Sequence, residues 1–359
     1  MPNFDLSALA LAAVCPGNEI LYDDKGMPSI MVKIPKQTYA QLGLGDSTAT
    51  HPAFIVNGQE VDAIYISKYQ NIVQNNRAYS LPAQDPKHTV TFDQSRTYCE
   101  NKGDGWHLMT RAEWALLALW CKKNGFMPKG NNNYGKDASE SNYKAIPTAY
   151  DGGKIARVAT GTGPLSWSHD NSPAGIWDLN GNVYEWVGGL RTVYGEIQVL
   201  ANNNAADSAH SQSAASAEWM AIDATTGQFI APNGTGTTAN SIKADYISSK
   251  WTYSTNITNQ VDNYQSCAFG SATCDATISD AAKLVLYGLA LLPYESDASA
   301  YGGDHMYLNN GNAERSFLCG GFWGSGSGAG VFYLRGYGGR SNAGTNLGFR
   351  SAFVKLPTD

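Results

Sequence analysis

The last forty residues constrain this chain more than any other stretch. From Cys319 to Phe353 they read CGGFWGSGSGAGVFYLRGYGGRSNAGTNLGFRSAF. Eleven of the twenty-nine residues from Gly320 to Gly348 are glycine, where average usage gives about two. A flexible Gly/Ser linker has such a composition. A linker has no use, however, for Trp323, Val331, Phe332, Leu334, Leu347, Phe349 and Phe353. Those residues pin short strands, and the small residues between them leave an irregular surface. Arg350 adds a long side chain able to tie strand to loop through several hydrogen bonds. The segment reads as a fixed frame, Gly-Gly-x-Trp at one end and Gly-Phe-Arg-Ser-Ala at the other, holding a patch whose side chains are freely chosen.

Size permits such a patch to sit on a large body. The 359 residues can bury a sizeable core in one to three domains. A hydrophobic share of 43% and a mean hydropathy of -0.31 fit a soluble globular protein. Only 16% of residues are charged, so Gly, Ser, Asn and Thr carry much of the polarity beside 20 Tyr and 9 Trp. That balance suits a loop-rich mixed fold with hydrogen-bonding surfaces. A net charge of -6 with no Lys/Arg cluster excludes a nucleic-acid binder. The six cysteines form no Cys-x-x-Cys. Cys99 and Cys121 fall in helix-like stretches and read as small buried hydrophobes. Cys267 and Cys274 either close a short loop as a disulfide or stand as free thiols. The six histidines show no zinc spacing.

The stretch Leu6 to Cys15 is apolar but lacks the positive n-region of a signal peptide, with Asp5 where a cation belongs. It is too short to span a bilayer. It reads as an element docked on the body of a protein folded in the cytoplasm. Along the chain, Asp23-Asp24-Lys25-Gly26 is a turn between Ile20-Leu21-Tyr22 and a strand from Ser29 to Ile34 that Pro35 ends. Asn57-Gly58 marks a hairpin, and Ala63 to Tyr69 alternates as a strand. Helices are expected over Thr91 to Lys102 and Thr110 to Lys123. The second carries a Thr110/Glu113 capping box worth about 1 kcal/mol and a core face at Trp114, Leu117 and Cys121. Asn131 to Gly153 reads as a loop and Ile155 to Thr160 as a strand. Gly175 to Val187 (GIWDLNGNVYEWV) reads as two strands about an Asn180-Gly181-Asn182 turn. Glu185 there would need several donors if buried. From 190 to about 300 the composition shifts, with Ala201 to Gly236 rich in Asn, Ala, Ser, Thr and Gly and poor in large apolar groups, which predicts a surface insertion with one helix over Ser279 to Leu292.

In that order, the Thr110 helix (HLMTRAEWALLAL), GNVYEWV, Gly320-Gly321-x-Trp323 and Gly348-Phe349-Arg350 resemble the formylglycine-generating-enzyme, or sulfatase-modifying-factor, branch of the C-type lectin fold. The resemblance runs from about Ile55 to Val354, and Cys319 replaces the usual Arg before Gly-Gly. It implies an α+β fold of two helices packed on short antiparallel sheets, loop-rich and with a long insertion. Residues 1–54 would be an N-terminal extension packed on the body. Residues 55–359 would be the lectin-like domain, with its insertion at about 190–305 and a variable region at about 319–353. The sulfatase-modifying enzymes of the family work through a C-terminal cysteine pair. Here no Cys follows Cys319, and Ser351 stands after Gly-Phe-Arg where a cysteine is usual. A serine cannot supply that thiolate. The related iron-dependent sulfoxide synthases need a His-rich site that has no counterpart here. There is no Gly-x-Ser-x-Gly and no P-loop. The resemblance therefore implies a non-enzyme.

The C-terminal patch also resembles the variable region of diversity-generating-retroelement proteins, in which a reverse transcriptase rewrites the gene's 3′ end at template adenines. Template Asn codons reach Gly, Ser, Tyr, Phe, Arg, Thr, Asp and Ala but not Trp, Lys, Glu, Gln or Met. Residues 320–348 contain no Lys, Glu, Gln or Met, and the single Trp323 is a frame position. The resemblance makes Phe322, Gly324, Ser325, Ser327, Gly328, Tyr333, Arg335, Tyr337, Gly338, Asn342, Gly344 and Thr345 the diversified, ligand-binding positions. The frame would be Gly320, Gly321, Trp323, Ala329, Gly330, Val331, Phe332, Leu334, Arg340, Ser341, Asn346, Gly348, Phe349 and Arg350. Gly336 departs from the apolar residue expected there. Phe322, Tyr333 and Tyr337 would anchor a ligand, with Arg335 clamping a carboxylate or phosphate.

The function so implied is binding of a protein or glycan on a target surface, by a phage or prophage particle protein whose multivalent display raises avidity. A cell-surface protein exported by another route is the alternative location. No nucleic acid, membrane insertion or cofactor is expected. A structural calcium is compatible with the fold but has no motif in support. Two other readings are a carbohydrate binder of fixed specificity, though Glu-Pro-Asn and Gln-Pro-Asp are both missing, and an oxidase of the formylglycine-generating type.

Overall fold

In the computed structural model, which describes residues 5–356, two sheets carry the architecture. The smaller has five strands in the order Asn18–Tyr22, Pro28–Pro35, Ala63–Ser67, Ser351–Val354 and Trp106–Leu108. The larger has twelve. Its main path is Gln265–Ala268, His305–Leu308, Leu334–Gly338, Glu314–Cys319, Tyr184–Val193, Glu196–Val199, Lys243–Ile247, Lys250–Ser254 and Thr273–Cys274. Strand alternation places Ile64 and Ile66 in the core while Tyr65 is only half-buried.

The helix Arg111–Lys123 lies at the centre. Its capping box forms as expected: the Glu113 amide donates to Thr110 Oγ1 at 3.2 Å and the Thr110 amide to Glu113 Oε2 at 2.9 Å. It buries more than the expected face, including Arg111 and Glu113. Buried charge needs partners, and both residues have them. Arg111 donates through Nε to Leu289 O at 2.8 Å and through Nη2 to Ala290 O at 2.6 Å. Glu113 Oε1 accepts from Asn203 Nδ2 at 3.1 Å and lies 2.8 Å from His107 Nε2. The same Arg111 contacts explain why the predicted 279–292 helix stops early, at Asp280–Gly288 with Ser279 as N-cap. The chain turns over at Ala290 (φ 45), and Leu289 to Leu292 enter the core.

Several other expectations are corrected. The Leu6–Val14 helix forms but buries none of its side chains, with Leu6 68% and Val14 71% exposed. Its leucines and alanines surround the helix instead of making one stripe, and only Ala8 and Leu11 are even half-buried. Gly175 to Leu179 is extended loop, and only Tyr184–Val193 of the GIWDLNGNVYEWV region is a regular strand. Of Ile155 to Thr160, only Ile155 joins a short ladder, Lys154–Ile155 with Tyr150–Asp151. The 190–305 region is no surface appendage. Its strands continue the larger sheet, and Ile197, Ile222, Ile242, Trp251, Tyr253 and Leu286 share one buried cluster with the central helix. Most of its large apolar residues are buried, with Tyr194, Ile247, Tyr264 and Tyr294 left exposed. Cys267 and Cys274 are free thiols. Among the described residues no helix is long and apolar enough to cross a membrane.

The C-terminal strand couples the two sheets. Leu347–Phe349 pairs in parallel with Tyr184 to Trp186 of the larger sheet. Ser351–Val354 then inserts between Ala63–Ser67 and Trp106–Leu108 of the smaller one. Arg350, at the switch, is fully buried. Its Nε donates to Glu185 Oε2 at 2.5 Å and its Nη2 to Glu185 Oε1 at 2.6 Å. Nη1 donates to Ser67 O and Nη2 to Trp177 O, both at 3.0 Å. Gln70 Nε2 supplies Glu185 with a further donor at 3.0 Å. Arg350→Ala leaves Glu185 buried with Gln70 as its one remaining donor. It is expected to cost about 3–5 kcal/mol, read from the urea midpoint. A cost below about 1 kcal/mol, the range of an exposed pair, would contradict this role.

Candidate ligand-binding surface

The frame residues of the C-terminal segment are held from below. Trp114 Nε1 donates to Val331 O at 2.7 Å, the Tyr134 amide to Trp323 O at 2.7 Å and the Trp323 amide to Asn182 O at 3.2 Å. Asn182 reaches Gln70 Oε1 at 2.9 Å, so a chain of amides links the Trp323 turn to the Arg350–Glu185 pair. At the far end Arg340 fastens the segment. Its Nε donates to Glu314 Oε2 at 2.8 Å, and its Nη1 to Asp93 Oδ1 at 2.9 Å in the first turn of the Phe92–Glu100 helix.

Burial separates the two sets of positions. Eleven of the fourteen frame residues are buried, the others being Arg340, Ser341 and Asn346. Ten of the twelve expected variable positions are half-buried or exposed. The two that depart are Tyr333 and Gly338. Tyr333 is 3% exposed, and its hydroxyl lies 3.0 Å from that of Tyr184. It is packing beneath the surface and cannot be the outward anchor the sequence suggested. Gly338 is buried at the end of its strand, next to the Asn342 amide. Ser325 also has an internal role, since its Oγ accepts from the Phe322 amide at 3.0 Å.

Strand alternation along Leu334–Gly338 turns Arg335 and Tyr337 to one face. A belt of rings runs across that face. Tyr184 stands 5.0 Å from Phe322 and 5.6 Å from Tyr333 between ring centroids. Tyr333 stands 5.4 Å from Tyr307, which is 5.8 Å from Tyr264. Tyr264 stacks on Tyr337 at 4.6 Å and 26°. The Arg335 guanidinium sits over Tyr337 at 4.4 Å and Tyr184 at 5.0 Å, and its Nε has no hydrogen-bond partner among the described residues. Such stacking is worth about 0.5–2 kcal/mol and holds the arginine ready. Burial pushes the Tyr307 and Tyr337 hydroxyls above the ordinary tyrosine value, so both stay neutral donors. Sequence reading missed Tyr184, Tyr264 and Tyr307. Tyr184 sat within a recognised motif, but Tyr264 falls in the stretch assigned to the insertion and Tyr307 just after it. Only the parallel pairing of His305–Leu308 with Leu334–Gly338 brings Tyr307 beside Arg335.

Gly336 is the frame anomaly, and the structure accounts for it. A Cβ there would meet the Phe317 ring at 2.3 Å, so Phe317 occupies the space expected for an apolar side chain. The positions where a catalytic thiol would be sought are closed. Ser351 is buried with its Oγ 2.9 Å from Ser67 Oγ. Cys319 is fully buried, Arg111 Nη1 donates to its Sγ at 3.2 Å, and burial pushes its thiol up to about 11.

Comparison with known proteins gives the following. Residues 47–353 match the family described as sulfatase-modifying factor enzyme 1-like domain. Among solved structures, the Treponema denticola variable protein 1 is 13% identical, with 94% of this chain and 99% of that chain covered at a TM-score of 0.34. The Major Tropism Determinant P3c variant is 11% identical, covering 94% and 71% at 0.31. PvdO from Pseudomonas aeruginosa is 14% identical, covering 94% and 98% at 0.33. No curated protein matches the sequence.

The burial pattern generates a paired expectation. Gly328 has ordinary backbone, and a Cβ there would meet only the His305 ring, at 3.0 Å. Gly321 has φ +83, and its Cβ would fall 2.6 Å from the Ala329 Cβ. Gly328→Asp should change stability by no more than about 0.5–1 kcal/mol. Gly321→Asp should cost about 2–4 kcal/mol from left-handed strain and overlap. Thermal and urea unfolding of the two variants check both values.

Proposed function

Because the chain belongs to the sulfatase-modifying factor enzyme 1-like domain family, we propose that it is a non-catalytic member of it, a ligand-binding protein whose exposed C-terminal positions are diversified by adenine-directed retroelement copying. The observation that carries this reading is the division of one short segment into a buried frame and an exposed patch. Frame positions Trp323, Val331 and Arg340 tie the segment to the body, while the outward side chains of the patch can change chemistry at small cost.

The patch is equipped for recognition as it stands. Tyr337, Phe322 and Arg335 are residue types that dominate binding hot spots, at about 2 kcal/mol or more each. Tyr264 and Tyr307 extend the aromatic area from outside the diversified segment, with buried Tyr184 packed beneath it, giving every variant a shared floor. A carboxylate or phosphate on the target would find the Arg335 guanidinium already oriented. The non-catalytic half of the proposal is supported by the closed environments of Ser351 and Cys319. A thiol pushed up to about 11 is protonated at neutral pH and is a poor nucleophile and metal ligand. Location on a phage or prophage particle, with the patch reading a host surface, completes the reading. Display in several copies would compensate for a weak single contact.

Sequencing of the gene's 3′ end across a population, together with the downstream DNA, tests the proposal. The expected result is a near-copy of the region encoding Cys319 to Phe353 beside a reverse-transcriptase gene. Differences should sit at template adenines and map to the exposed positions, with Tyr184, Tyr264 and Tyr307 unchanged. An invariant 3′ end without such a repeat would overturn diversification and leave a binder of fixed specificity.

A further inference from the structure

Against the larger sheet, and lined by none of the residues of the aromatic belt, lies a cleft of about 760 Å³. Its size falls in the range of small-ligand sites. One wall is the loop 235–240, the other the loop 255–260, and Tyr194, Lys243 and Asn310 lie between them. We propose that this cleft is a second binding site, for a neutral oligosaccharide, separate from the C-terminal patch.

Tyr194 is the first observation. It occupies the first position of the two-residue hairpin joining Tyr184–Val193 to Glu196–Val199, with φ 47, followed by Gly195 at φ 80. Such a turn favours Asn, Asp or Gly at that position. A tyrosine held in the left-handed region is strained, and strain of this kind collects at ligand sites. The ring is not placed there for packing, since Tyr194 remains 42% exposed. Gly236 packs against this turn so closely that a Cβ on it would meet Val193 O at 2.3 Å. The loop 235–240 is thereby pressed against the base of the ring.

The second observation is a built and neutral lining. The one lysine in the cleft is fully engaged. Lys243 Nζ donates to Thr238 O at 3.0 Å, Ser241 Oγ at 2.9 Å and Thr255 O at 3.0 Å, so it braces one wall against the other. Buried Glu196 fixes the same wall, accepting from the Thr238 amide at 3.0 Å and Ser241 Oγ at 2.7 Å. Among the described residues that line the cleft, no other charge is left to select an anion or a cation. Most threonine hydroxyls and side-chain amides of the lining are tied to one another or to the walls, which holds them in place, while Thr255 Oγ1 and, on the exposed rim, the Asn256 side chain make no hydrogen bond among the described residues. Paired donors and acceptors on hydroxyls and amides match the vicinal diols of a sugar. An exposed tyrosine face matches its C–H face. An apolar or ionic ligand has no such match here.

The test uses the full chain and a panel of neutral di- and trisaccharides of glucose, galactose, mannose and N-acetylhexosamine, followed by saturation-transfer NMR and titration calorimetry. At least one should bind. Tyr194→Asn should weaken it at least tenfold while the thermal midpoint stays equal or rises, because Asn suits the turn better. Asn256→Ala should weaken it as well. The proposal is overturned if no sugar of the panel binds, or if binding survives Tyr194→Asn. Binding that survives Tyr194→Asn but falls with Tyr337→Ala would place the sugar on the C-terminal patch, and the second site would be refuted. None of these results bears on whether the 3′ end is diversified.

Discussion

The buried pair of Arg350 and Glu185 is the contact on which the rest of the structure depends. Burying a lone carboxylate or guanidinium would be prohibitive. Together, with Ser67 O, Trp177 O and Gln70 filling further positions, they are satisfied where two sheets and the Trp177 segment meet. The pair thus fixes the path by which the chain leaves one sheet at Phe349 and enters the other at Ser351. Everything between Cys319 and Phe349 hangs between this point and the strand Glu314–Cys319.

That suspension explains how an irregular, glycine-rich segment keeps one conformation. Its backbone is set by atoms outside it: Trp114 on the central helix, the Tyr134 amide, the Asn132 and Asn182 carbonyls, and Glu314 and Asp93 gripping Arg340. The side chains of Ser327, Arg335, Tyr337, Asn342 and Thr345 make none of these ties. Stability and recognition therefore draw on different atoms. Changing the second set need not disturb the first. The aromatic floor of Tyr184, Tyr264 and Tyr307 adds a constant apolar component beneath whatever the segment presents.

Much of this was legible in the sequence because it rests on local signals. The capping box at Thr110 and Glu113, the hairpin at Asn57-Gly58 and the need of Glu185 for donors all follow from spacing and elementary hydrogen bonding. What was not legible depends on distant pairing. Tyr333 follows a turn, so no alternation tells which way it points, and the partner that buries it, Tyr184, is 149 residues away. The 190–305 region looked like a surface excursion because Ala201 to Gly236 carries few large apolar groups. Composition counts residues, however, and cannot say that Trp251 and Tyr253 face the same core as Leu117. The Leu6–Val14 helix erred in the opposite direction, apolar in sequence yet unburied.

The central claim is that the exposed patch varies without cost to the fold. It is tested most directly by randomising Phe322, Ser327, Arg335, Tyr337, Asn342 and Thr345 together and displaying the library. The measurement is the fraction of clones that resist protease as the parent does. Most clones should remain as resistant as the parent, while the same randomisation of Trp323, Phe332, Leu334 and Phe349 should leave almost none. Comparable losses in the two libraries would mean that the patch is part of the core's packing, and the account would be wrong.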